Sequence, residues 1–121
     1  MKLEMRLEAM GDKIMRSDRN ILSVIMSYRT ESYFKEQKGY KSLLTKAEIE
    51  KSLGNAALRW VNRRSLRKLG KPIYAMAKYE KVKRITMPFG RYGMILCTVR
   101  PESNTDIITT KLTKIIKNSN Y

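Results

Sequence analysis

The chain has no histidine, one cysteine, and eleven acidic residues against twenty-six lysines and arginines. Without histidine it lacks the commonest general base and the commonest metal ligand. One cysteine excludes an intramolecular disulfide and fits a reducing interior. Cys97 lies in Met94-Ile95-Leu96-Cys97-Thr98-Val99 and reads as a small buried hydrophobe. Long apolar runs are missing too. None approaches the roughly 18 residues of a membrane span, and the charged start Met1-Lys2-Leu3-Glu4 has no signal-like core. Carboxylates are nowhere dense, and Glu48 and Glu50 are the only acids between Glu36 and Glu80. The expectation is a protein without catalytic residues, metal, cofactor or small-molecule ligand, placed in the cytoplasm.

What remains is one domain's worth of chain, 121 residues of which 42% are hydrophobic. Its charge of +15 is uneven. Residues 1–44 carry net +3, residues 45–100 net +11, and residues 101–121 net +1. From 51 to 79 there are eight Lys and Arg and no acid, and six of the eight lie between Arg59 and Lys71. Such a concentration suits a polyanionic partner.

Spacing divides the chain further. Leu3, Leu7, Met10 and Ile14 recur at four, three and four, the seam of an amphipathic helix over 2–16. Ile21, Ile25 and Tyr28 extend that spacing, which predicts a second helix over 18–36. Thr45-Lys46-Ala47-Glu48 is a capping box, opening a short helix 46–53 that Gly54 ends. Asn55 caps a further helix, 56–69, closed by Gly70 and Pro72. At about 100° per residue, Arg59, Arg63, Arg64, Arg67 and Lys68 fan across one side of it. Leu58, Val61, Ser65 and Leu69 take the other, the expected packing side. Residues 73–81 fit either a strand or a helical turn, with an extended connection the preferred reading. Val82–Met87 and Met94–Val99 read as strands around a Pro88–Gly93 hairpin loop. A last helix, 106–118, has the seam Ile108, Leu112 and Ile115, before a tail that frays.

A short helix, a Gly turn, a basic helix and a basic-tipped hairpin, over about residues 20–100, resemble the winged-helix class of helix-turn-helix DNA-binding domains. The resemblance implies an α+β, mainly helical winged helix-turn-helix with a β-hairpin wing. It makes 1–121 a single domain, with 1–16 and 104–121 as helical extensions used for dimerisation through Leu3, Leu7, Met10, Ile14, Ile108, Leu112 and Ile115. Helix 56–69 would enter the major groove of double-stranded DNA, with Asn55, Arg59 and Arg63 at base edges and Arg64, Arg67, Lys68 and Lys71 on phosphates. Lys83 and Arg84 would touch phosphates from the hairpin's base. Arg91 and Tyr92 would act at the wing tip. Trp60 falls within the cationic arc, where it either packs beneath the hairpin or against the N-terminal helix, or stacks on a sugar or base.

The implied function is a homodimeric, nucleoid-associated transcriptional regulator. Two alternatives share the charge: a DNA-coating or partition protein, and a structural RNA-binding protein that stacks bases on Trp60 and Tyr92. An interaction adaptor is a fourth reading and requires an acidic partner.

Overall fold

A computed structural model describes residues 3–119. Residues 1–2 and 120–121, the first residue of helix 2–16 and the end of the frayed tail, lie outside it. The four-three-four seam makes α1, Leu3–Ser17. Asp18 then turns the chain, its carboxylate accepting the Asn20 amide at 2.9 Å. Two strands follow, β1 (Ile21–Tyr28) and β2 (Glu31–Glu36), joined through Arg29 at φ 57°. Helix α2 spans Lys46–Arg64, and a single 3-10 turn spans Arg67–Leu69. Strands β3 (Ala75–Lys78), β4 (Lys83–Phe89) and β5 (Gly93–Val99) lead to α3, Thr105–Lys117.

The strands make one antiparallel sheet in the order β2-β1-β5-β4-β3. Strand alternation sorts its side chains into two layers. On one face Val24, Met26, Ile85, Met87, Phe89, Ile95, Cys97 and Val99 meet Leu7, Met10 and Ile14 of α1 and Ile108 and Leu112 of α3. Cross-strand pairs such as Met26↔Ile95 and Met87↔Ile95 knit that layer. Burying each such side chain contributes about 1.5–3 kcal/mol. On the other face Met94 and Ala75 meet Ala56 and Trp60 of α2.

This architecture overturns the mainly helical winged-helix expectation. The segment 18–36 is a β-hairpin. Strand β1 sits between β2 and β5 and is buried from Ile21 through Met26. A strand covered on both faces need not alternate apolar with polar residues, and its Ile21, Ile25 and Tyr28 mimic helical spacing. Gly54 ends nothing: the helices 46–53 and 56–69 are one, and its final turns reach only Arg64. One interior Gly costs about 1 kcal/mol relative to Ala, too little to break a helix of that length. The capping box is present, with Thr45 N donating to Glu48 Oε1 at 2.9 Å and Glu48 N to Thr45 Oγ1 at 3.2 Å. The hairpin near Gly90 exists, but its strands lie inside the sheet and form no wing. The connection 73–81 contains β3, an edge strand.

The residues expected at a dimer seam have an internal place. Leu7, Met10, Ile14, Ile108 and Leu112 are buried in the protomer's own core, and Leu3 and Ile115 pack against it. Lys111 ties α3 to the end of α1, and a cap starts α3. Lys111 Nζ reaches Asp18 Oδ2 at 3.0 Å and Ser17 O at 3.2 Å. Asn104 caps α3 by accepting the Ile107 amide at 3.1 Å.

Candidate functional site

Undivided, α2 shows a seam that the split had hidden: Ile49, Leu53, Ala56 and Trp60, again at four, three and four. The last two are fully buried. The helix therefore presents its Trp60 side to the sheet and turns Leu58 and Val61 outward, 63% and 60% exposed. The expected packing side is the solvent side. Trp60 does pack inside, against Met94 and Ala75, and Arg63 Cζ stands 5.9 Å from its ring centroid. Its indole Nε1 is buried with no hydrogen-bond acceptor among the described residues.

Turning the helix this way divides the cations from Arg59 to Lys71 between two clefts, with Lys68 in neither. Arg59 and Arg63 line a shallow one over β3, with Met76, Tyr79 and Arg84. There Arg84 Nη1 donates to Ser52 Oγ, and burial, reinforced by the charge of Arg59 and opposed by Tyr79, lowers the pKa of Arg84. Arg64, Arg67 and Lys71 line a second cleft of about 530 Å³ together with Trp60, Pro72, Pro88 and Arg91. It is closed at one side by the 3-10 turn and at the other by the β4–β5 turn. Gly70, at φ 84°, and Gly90, at φ 60°, give it bare backbone at both turns. Pro88 can serve there because β3 pairs only with Lys83 to Thr86, leaving the far end of β4 without a neighbour on that side.

The remaining expected contact residues scatter. Asn55 and Lys68 are exposed. Lys83 Nζ donates to Ser103 O at 2.6 Å, tying β4 to the start of α3. Tyr92 meets Tyr28 edge-on at 6.2 Å, with the Arg29 guanidinium 4.0 Å from its ring centroid and that of Arg91 at 5.5 Å. Sequence reading missed the cleft walls Pro72 and Pro88 and the edge strand β3. The signal for the strand was the short continuous apolar run Ile73-Tyr74-Ala75-Met76-Ala77 between Pro72 and Lys78.

Among the described residues no group of three or more His, Cys, Asp or Glu could hold a metal ion, and no helix is long and apolar enough to cross a membrane. Cys97 is wholly buried, and burial pushes its thiol up to about 12.

No known protein family and no curated protein matches the chain by sequence. Solved structures do match it in fold. Myxococcus xanthus MglB is 12% identical, with a TM-score of 0.71 over 97% of this chain and 86% of that one. The gliding protein MglB of Thermus thermophilus is 12% identical, with a TM-score of 0.62 over 96% and 92%. A Roadblock/LC7 domain from Streptomyces avermitilis is 7% identical, with a TM-score of 0.65 over 97% and 93%. The fold is that of Roadblock/LC7 domains. The DNA-binding regulator expected from sequence rested on a winged-helix layout that the chain does not have. Major-groove reading by helix 56–69, double-stranded DNA as partner and nucleoid association fall with it.

Proposed function

We propose that this protein is a binding module that works by assembly with other protein surfaces, a second copy of itself first, and not by catalysis. The observation that carries this reading is the margin of the sheet at β3. Strand β3 ends the sheet, so one side of its backbone has no strand partner. Unpaired edges recruit further strands unless charge, proline or a covering element blocks them. Here the edge reads Ala75-Met76-Ala77 before its first charge, Lys78. Ile73 precedes it at 63% exposure and Met76 stands on it at 41%. Leu58 and Val61 add exposed apolar surface on α2. A tetrameric arrangement is described for an MglB of similar fold, 11% identical with a TM-score of 0.63 over 94% of this chain and 90% of that one. The cations of α2 suit an acidic surface on any further partner.

Sedimentation velocity across a concentration series tests this. The parent chain is expected to associate, and Met76→Lys with Ile73→Lys to shift it to monomer at an unchanged melting temperature. A parent that stays monomeric at every concentration overturns the reading.

A further inference from the structure

We infer that the cleft between the end of α2 and the β4–β5 turn binds a small molecule bearing a polyphosphate chain. Four cations from three segments line it: Arg64 from α2, Arg67 and Lys71 from the turn region, and Arg91 from the β4–β5 turn. None of the four is ion-paired among the described residues, and residues 51–79 supply no carboxylate. Like charges brought to one concavity repel each other until an anion enters. Arginine's planar fork suits phosphate oxygens in pairs.

Size and wall chemistry narrow the ligand. The volume of about 530 Å³ falls in the range of small-molecule sites, roughly 300–1,000 Å³. Trp60, Pro72 and Pro88 give it apolar walls among the cations, a mixture suited to a phosphate chain carried on a less polar group. Arg59 and Arg63, also on α2, belong to the separate cleft over β3. The charge therefore gathers in a bowl instead of running along a track, which favours a compact anion over a long polymer.

Trp60 is the only tryptophan, so its fluorescence reports on the cleft directly. Adenosine triphosphate, inorganic tripolyphosphate and adenosine are titrated without divalent metal, by fluorescence and by calorimetry. Both phosphate probes are expected to saturate. Arg64→Gln with Arg91→Gln should weaken them at least about tenfold, as loss of charge-assisted contacts does. Lys114→Gln with Lys117→Gln, which removes equal charge from α3, should leave them within about twofold, since distant exposed charges are screened. Equal affinity for the two probes means that the phosphate chain alone is recognised. Tighter binding of the nucleotide adds its base to the apolar walls. Either result supports the site. The inference is overturned if neither probe saturates, if both double variants weaken binding alike, or if adenosine binds as well as its triphosphate. Thermal melts of each variant verify folding, and if the cleft variants prove unstable, Arg64→Lys, which keeps the charge but loses the fork, should bind the phosphate probes more weakly than the parent without abolishing binding.

Discussion

The ring of Tyr33 on β2 fills the space that a side chain at Gly11 on α1 would need. A methyl group at Gly11 would lie 2.6 Å from Tyr33 Cε2 and 2.8 Å from Cδ2, with Met26 Sδ at 3.5 Å. In sequence this glycine only weakens a helix. In the fold it lets α1 settle on the sheet's outer strands. Gly11→Ala should gain up to about 1 kcal/mol in helix propensity yet lose about 1–3 kcal/mol to overpacking, for a net loss in urea unfolding. In a Tyr33→Ala background the same change should stabilise. A stabilising Gly11→Ala in the parent would disprove the close fit.

Trp60 and Leu58 lie two residues apart on α2 and should respond oppositely to truncation. Trp60→Ala removes a fully buried side chain and should cost about 3–5 kcal/mol. Leu58→Ala, at an exposed position, should change stability by no more than about 0.5 kcal/mol. Urea midpoints of the two variants measured in the monomeric background decide this, and comparable losses would mean that the helix faces the other way.

Stability should fall in acid partly through Asp18. Burial works against its carboxylate, but the Asn20 amide and the Lys111 ammonium outweigh burial and hold its pKa below the ordinary value. A depressed carboxylate pKa gives stability that is present above the unfolded-state pKa and lost as pH falls through the folded one. Asp18→Asn should therefore cost on the order of 1 kcal/mol at neutral pH, with the gap from the parent closing in acid. Unfolding measured from pH 7 downward tests the sign, and a gap that widens in acid would contradict it.

Cys97 should resist alkylation in the folded chain at neutral pH. Its thiol is buried and its pKa is pushed up to about 12, so almost no thiolate is present and none is reachable. Reaction with a maleimide should begin only where urea unfolds the chain, and should track circular dichroism. Rapid labelling of native protein would show that β5 opens locally.

Salt separates the two proposed kinds of binding. Self-association through β3 brings together two chains of charge +15, so it should tighten as the Debye length shrinks from about 30 Å at 0.01 M to about 3 Å at 1 M. Polyphosphate binding in the Trp60 cleft should weaken over the same range. Sedimentation and calorimetry on one preparation give both slopes, and parallel slopes would deny one of the two mechanisms.

The elements legible in sequence were those with a clear helical seam or clean ends. Helix α1 carries its seam alone, α3 has its Ile108-Leu112-Ile115 spacing, and β4 and β5 flank a turn marked by Gly and Pro. Strand β1 is covered on both faces as β5 is, but its turn at Arg29-Thr30 carries no Gly or Pro to mark a hairpin, so its Ile21, Ile25 and Tyr28 read as helical spacing. The α2 seam was lost to an assumed stop at Gly54. That single error exchanged the inner and outer sides of the helix and turned two clefts into one apparent stripe. Arg64, Arg67, Lys71 and Arg91 stand out in sequence as cations with few carboxylates nearby. Their convergence was invisible, because the 3-10 turn and the β4–β5 turn that bring them together are far apart in the chain.

The two margins of the sheet differ in kind. Strand β2 carries Glu31, Lys35 and Glu36, and Lys35 is held by Asp12 at 3.4 Å. Strand β3 has no comparable guard until Lys78. Two copies joined β3 to β3 would turn both receptive margins inward and leave only guarded rims outside. Growth by that route would end at two chains, giving a closed ten-strand sheet instead of a fibre.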